Sequence, residues 1–136
     1  MYKYRVWDKG RKKMSPVACI HFGDDGSALT IMIDPAPKGP NIPHVDLVKG
    51  ENAVLMQFTG LQDRKGKEIY ECDIVRINHP ADRTDFTNVV GEVFWWQEEG
   101  GWYHTNNHGR PPKRMWQYVE VIGNIYESPE LLEKRT

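Results

Sequence analysis

The sequence predicts a mainly β protein with minor α: an N-terminal β-meander, then a small closed or half-closed β-barrel, then a short C-terminal helix. Three observations predict it. Apolar residues recur with period two at the start of the chain, and VVGEVFWWQ, residues 89–97, reads as a strand with Val90, Val93 and Trp95 or Trp96 as inward candidates. The short apolar segments are separated by turn-forming clusters such as Gly23-Asp24-Asp25-Gly26 and Glu98-Glu99-Gly100-Gly101. A helix-start signal, Ser128-Pro129-Glu130, stands near the end of the chain.

The chain of 136 residues has an ordinary balance, with 39% hydrophobic and 27% charged residues. Five of its residues are tryptophan, which points to a sheet-rich core or an exposed stacking surface. A net charge of −1 gives no general electrostatic grip on nucleic acid, so a local basic patch would have to supply one. No run of about 20 apolar residues is present, so no membrane span or membrane partner is expected. The first residues lack the apolar stretch of a signal peptide, and Cys19 and Cys72 are expected to be reduced thiols in a cytoplasm.

Taken in order, Tyr2, Tyr4 and Val6 alternate with Lys3, Arg5 and Trp7 and predict the first strand. A turn follows at Asp8-Lys9-Gly10. Met14 to Phe22 is a second strand with an edge or irregular start, because Pro16 is incompatible with an interior helix. The Gly23–Gly26 turn leads into a third strand from Ala28 to Ile33. The next ten residues, DPAPKGPNIP, hold four prolines and one glycine and divide the chain into 1–44 and 45–136. Ala53 to Phe58 reads as a buried strand ending before Thr59-Gly60.

The stretch TGLQDRKGKEIYECDIVRI, residues 59–77, organises the second part. Asp63, Lys65, Gly66 and Lys67 form a polar turn, and Glu68 to Ile77 carries a strand. The alternation slips at Glu71–Asp73, where one extra residue in a β-bulge would restore it. Residues 79–88 are a polar loop. Val89 to Gln97 and Trp102 to Asn106 form a hairpin across the Glu98–Gly101 turn, and Trp116 to Ile125 is the last strand. At the C-terminus Ser128 caps a helix, Pro129 occupies its first position, and Leu131 and Leu132 dock on the barrel.

Chemistry-bearing patterns are sparse. His104 and His108 have metal-ligand spacing that Cys72 or Cys19 would have to complete, but no Cys-x-x-Cys pair accompanies them, and they read as polar residues between strands. Cys72 lies between Glu71 and Asp73, whose charges oppose thiolate formation, so it reads as structural. There is no nucleophile elbow and no phosphate loop. The acid pairs Asp24-Asp25 and Glu98-Glu99 belong to turns. The pattern richest in possibility is aromatic and basic: Trp95, Trp96, Trp102, Tyr103, Trp116 and Tyr118 on neighbouring strands, with Arg110, Lys113 and Arg114 beside them. Trp95 and Trp96 must point to opposite faces of a strand. Such a surface is either a stacking platform for single-stranded nucleic acid or a packing face for the meander or a second subunit.

Four blocks, KYRVWDKGRKKM, LMQFTGLQDRKGKEIYECDIVRI, GEVFWW and VIGNIYESPELLE, stand in this order from the first residues to Glu133. They resemble the YopX family of phage and prophage proteins. The resemblance implies an SH3-like barrel in the C-terminal half and self-association, and it supplies no catalytic residues. The family usually has glycine where this chain has Cys72. The resulting expectation is a non-enzymatic binding or assembly module of phage origin, a homo-oligomer in the bacterial cytoplasm, without metal or cofactor, meeting phage or host protein. The alternative is a nucleic-acid-binding small β-barrel that uses Trp96, Trp102, Arg110, Lys113 and Arg114.

Overall fold

The computed structural model describes residues 3–26, 28–33, 47–77, 89–107, 109, 111–115 and 119–132. Its chain divides into two compact units, Met1–Gln57 and Phe58–Thr136. The expected division at residue 44 moves to Gln57 because residues beyond the proline-rich stretch pair back with the first strands. That stretch itself, with His44, lies outside the described residues.

The first unit is an antiparallel sheet of β1 (Tyr4–Asp8), β2 (Lys13–Phe22), β3 (Ala28–Ile33), β4 (Leu47–Lys49) and the first half of β5 (Ala53–Gln62), in the order β4-β3-β2-β1-β5. The predicted meander is therefore present, and it is flanked on both sides. Alternation sends Val6, Ile31, Ile33 and Val48 to one face, where they form the core with Val17, Ile20, Ala53 and Leu55 packed around them. Asp8 ends β1 by turning the chain: its Oδ1 accepts the N–H groups of Gly10 at 3.0 Å and Arg11 at 3.2 Å. At the next hairpin the Gly26 N–H donates to Gly23 O at 3.0 Å. β2 is not an edge strand, since it lies between β1 and β3. Its proline is tolerated because the ladder to β3 starts only at Val17, and the irregular start survives as a register shift between Val17 and Cys19.

The second unit holds the rest of β5 with β6 (Glu68–Tyr70), β7 (Asp73–Ile77), β8 (Val90–Trp96), β9 (Gly101–His104), β10 (Lys113–Arg114) and β11 (Val119–Asn124). β5 does not stop at Thr59-Gly60 as the sequence predicts. It runs on to Gln62 through a bulge, with Gly60 at φ +85° and Thr59 Oγ1 bonded to Ile69 O at 2.8 Å. The single strand predicted for Glu68–Ile77 is two strands. The chain leaves β5 and joins β8 and β11 by a corner at Glu71–Cys72 instead of a bulge.

Cys72 forms that corner with φ +70°. Its N–H donates to Val93 O at 2.9 Å and its carbonyl accepts the N–H of Ile125 at 3.1 Å, so its backbone groups are held by β8 and by the turn just after β11. The left-handed conformation usual for glycine is kept although a side chain is present.

Five strands in the order β10-β9-β8-β7-β11 make the sheet over the second core, built from Ile69, Val75, Val93, Met115, Val119 and Val121. Among the described residues the SH3-like barrel expected here does not close, since β10 and β11 end the sheet on opposite sides. The outer edge of β11 is covered by the Asp63 turn rather than by a strand. Arg64 N–H donates to Val119 O at 3.1 Å, and Val121 N–H donates to Asp63 Oδ2 at 2.9 Å. A turn satisfies that edge without continuing the ladder.

The C-terminal helix is likewise a single 3-10 turn, Pro129–Leu132, with Leu131 N–H bonded to Ser128 O at 3.1 Å. The chain is already turning when it gets there: Asn124 Oδ1 takes the N–H groups of Tyr126 at 3.0 Å and Glu127 at 2.9 Å. Gly123 makes room for this turn, because a Cβ there would stand 3.0 Å from Leu131 Cδ1.

Candidate functional site

The β8–β9 hairpin concentrates the aromatic residues. Its turn is closed by the Gly100 N–H, which donates to Trp96 O at 2.8 Å with Gly100 at φ +63°. The register pairs Val93 with His104, Phe94 with Tyr103, Trp95 with Trp102, and Trp96 with Gly101. Residues directly opposite on antiparallel strands share a face, and successive residues alternate. The register thus sorts the hairpin into two sets.

One set is Val93, Trp95, Trp102 and His104. Val93 and His104 are fully buried, Trp102 packs against the core, and Trp95 is 48% exposed toward the end of the strand. The two indoles meet edge to face with centroids 5.2 Å apart. Trp95 thus lies on the core side of its strand yet emerges into solvent, because the core beneath it ends before the hairpin does.

The other set is Phe94, Trp96 and Tyr103, each half-buried. Ring centroids are 6.0 Å apart for Phe94–Trp96, 6.4 Å for Phe94–Tyr103 and 5.0 Å for Trp96–Tyr103. Arg114, paired with Tyr103 from β10, places its Cζ 5.3 Å from the Tyr103 ring centroid and its Nη2 3.3 Å from the hydroxyl. Gly101 leaves space for this guanidinium: a Cβ there would come within 3.0 Å of Arg114 Nη1.

Of the five residues singled out in the sequence, Trp96 and Arg114 therefore share a face. Trp102 and Lys113 belong to the opposite set, Lys113 being paired with His104. Arg110 lies outside the described residues, as do Trp116, Tyr118 and His108. Phe94, not among those five, completes the aromatic trio, and His104, expected as a polar residue between strands, is a core residue of β9. The i/i+2 spacing of Phe94 and Trp96 carried the first signal; the pairing of His104 with Val93 is a register fact that local sequence does not contain.

Carboxylates flank the hairpin. Glu98 and Glu99 are exposed in its turn. Glu92 lies further back on β8, and burial, followed by the nearby Glu71 charge, pushes its carboxyl above the usual value. The Tyr126 hydroxyl is also pushed up, first by burial and then by Cys72 and Glu92. Among the described residues no group of three or more His, Cys, Asp and Glu side chains is placed to hold a metal ion. No helix among them is long and apolar enough to cross a membrane, a statement that leaves β-barrels aside. What the hairpin offers chemically is stacking area on two faces and one oriented cation.

The YopX protein family matches residues 3–133 of this chain. The protein belongs to the YopX family. Among solved structures, this YopX chain is similar to the crystal structure of protein EF1440 from Enterococcus faecalis, with 27% sequence identity and a TM-score of 0.68. The alignment covers 98% of this chain and 99% of that chain. No curated protein matches it.

Proposed function

We propose that this YopX protein is a non-enzymatic binding or assembly module of phage or prophage origin, acting in the bacterial cytoplasm as a homo-oligomer, and that the β8–β9 hairpin is its contact surface. The observation that supports this reading is Trp95, held by Trp102 and 48% exposed on a hairpin that also presents Trp96 and Tyr103. A single exposed apolar residue needs no explanation, but a cluster of aromatic rings on one hairpin marks a surface for contact. Covering the exposed part of a tryptophan is worth about 2 kcal/mol at the usual value per buried area. Light scattering on the intact chain tests the self-association: an assembly that dissociates at higher concentration in Trp95→Ala is expected, and a strict monomer at every concentration removes it.

The second reading, a nucleic-acid-binding module, draws on Arg114 over Tyr103 beside Trp96. It requires salt-sensitive binding to a labelled oligonucleotide that weakens in Arg114→Ala and Trp96→Ala. The net charge of −1 and the exposed Glu98-Glu99 turn weigh against it.

A further inference from the structure

We infer that His104 is an acid release built into the C-terminal sheet: its neutral ring is buried against the β8–β9–β10 ladder, and its protonation loosens that ladder. The imidazole is 0% exposed and sits between Val93 of β8 and Lys113 of β10 in the register. Nδ1 lies 3.0 Å from Thr105 O and so carries the proton that it donates there. That assignment leaves Nε2 as an acceptor, and among the described residues Nε2 is buried without a hydrogen-bond partner. A bare acceptor in the core is tolerable; an N–H donor at the same place, carrying a full positive charge, is not.

The surroundings amplify this. Among the described residues β8 faces the ring with Val93, which has no charge, and β10 faces it with Lys113, which is the charged side chain acting on it. Burial first, and then the Lys113 ammonium, hold the ring below its ordinary 6.5, against the Thr105 carbonyl that favours the proton. A histidine depressed in the folded state is stabilising above its unfolded value, and that contribution is lost as the pH falls toward the folded one. The loss therefore begins below about pH 6.5 and develops in mild acid. Glu92, raised in the folded state, acts in the opposite direction, so it does not mimic the effect.

The test is urea unfolding of the intact protein from pH 7.5 to pH 5, with ring titration of His104 by NMR in the folded protein. The folding constant of the wild type should fall by up to tenfold per pH unit attributable to this one group. His104→Asn, which keeps a donor for Thr105 O, should remove that slope. Lys113→Glu, on the exposed edge strand, should shrink it by raising the folded-state titration of His104. If His104→Asn does not fold, the wild-type titration and Lys113→Glu decide the matter. A folded ring titrating at about 6.5, or His104→Asn losing stability in parallel with the wild type, would overturn the inference.

Discussion

Asp63 Oδ2 accepts the backbone N–H of Val121 at 2.9 Å, tying a turn to the edge of a strand 58 residues away in the chain. The other oxygen, Oδ1, takes the N–H groups of Lys65 and Lys67, each at 2.8 Å. One carboxylate thus shapes its own turn and covers the edge of β11. Outside it, Glu120 meets Arg64 at 2.7 Å and Lys65 at 2.8 Å, and those two cations hold its carboxyl at about 2. The two cations are exposed, and the pairs fasten the same turn from the solvent side.

Removing the Asp63 side chain should therefore be among the costliest changes in a loop of this protein. Asp63→Ala strips a partner from three backbone N–H groups, and a loss of about 2–4 kcal/mol is expected. Burial pushes the Asp63 carboxyl up, but the N–H groups of Val121, Lys67 and Lys65 outweigh it and hold it below 3.8. A depressed carboxylate stabilises above its unfolded value and loses that contribution as pH falls through the folded one. Urea midpoints should show Asp63→Asn to be deficient at pH 7, with the deficit shrinking as the pH falls below 3.8.

Cys72 holds φ +70° under the constraint of hydrogen bonds to Val93 and Ile125. A side chain in that conformation costs about 1–2 kcal/mol. Cys72→Gly should gain about 1 kcal/mol once the greater freedom of glycine in the unfolded chain is deducted. That corresponds to a rise of about 4 °C in the melting temperature. Cys72→Val should fall in the opposite direction, since branching at Cβ makes a positive φ worse. A drop in melting temperature for Cys72→Gly would show that the thiol holds the corner through its contacts.

Gly91 and Gly26 are both glycines beside turns or strands, but only one is sterically obligatory. A Cβ on Gly91 would stand 1.9 Å from Thr105 O, a backbone atom that cannot move aside, whereas one on Gly26 meets nothing within 4 Å. Gly91→Ala should cost more than about 4 kcal/mol or fail to fold. Gly26→Ala, strained only by its φ of +83°, should cost about 1 kcal/mol. Circular dichroism melts of the two variants side by side check the ranking.

Glu92 is destabilising while charged, because burial and Glu71 both raise its titration. A raised carboxylate favours the fold below its unfolded value and weakens it as pH rises through the folded one. Glu92→Gln should consequently unfold at higher urea than the wild type at pH 7, with the gap closing at pH 4. An unchanged gap at both pH values would locate the effect in packing instead of charge.

Much of the architecture is local and was legible as such. Turns need particular residues, so Gly23–Gly26 and Glu98–Gly101 mark their hairpins in the chain itself. Strand parity is equally local, which is why Trp95 and Trp96 were bound to face opposite ways. Which of them meets solvent is not local. Trp95 is exposed because the core formed by Val93 and its distant partners stops short of it, and no neighbouring residue encodes where a core ends.

The same division runs through the rest of the protein. The β class, the meander, the positions of most turns and the membership in the YopX family are written in the chain, because short-range propensities and motif order decide those. The break of Glu68–Ile77 at Cys72, the Asp63 turn on the edge of β11 and the place of His104 in the core emerge only when the strands pack together. Each of those depends on a hydrogen bond or a packing contact between residues far apart in the chain, whose free energy no local window contains.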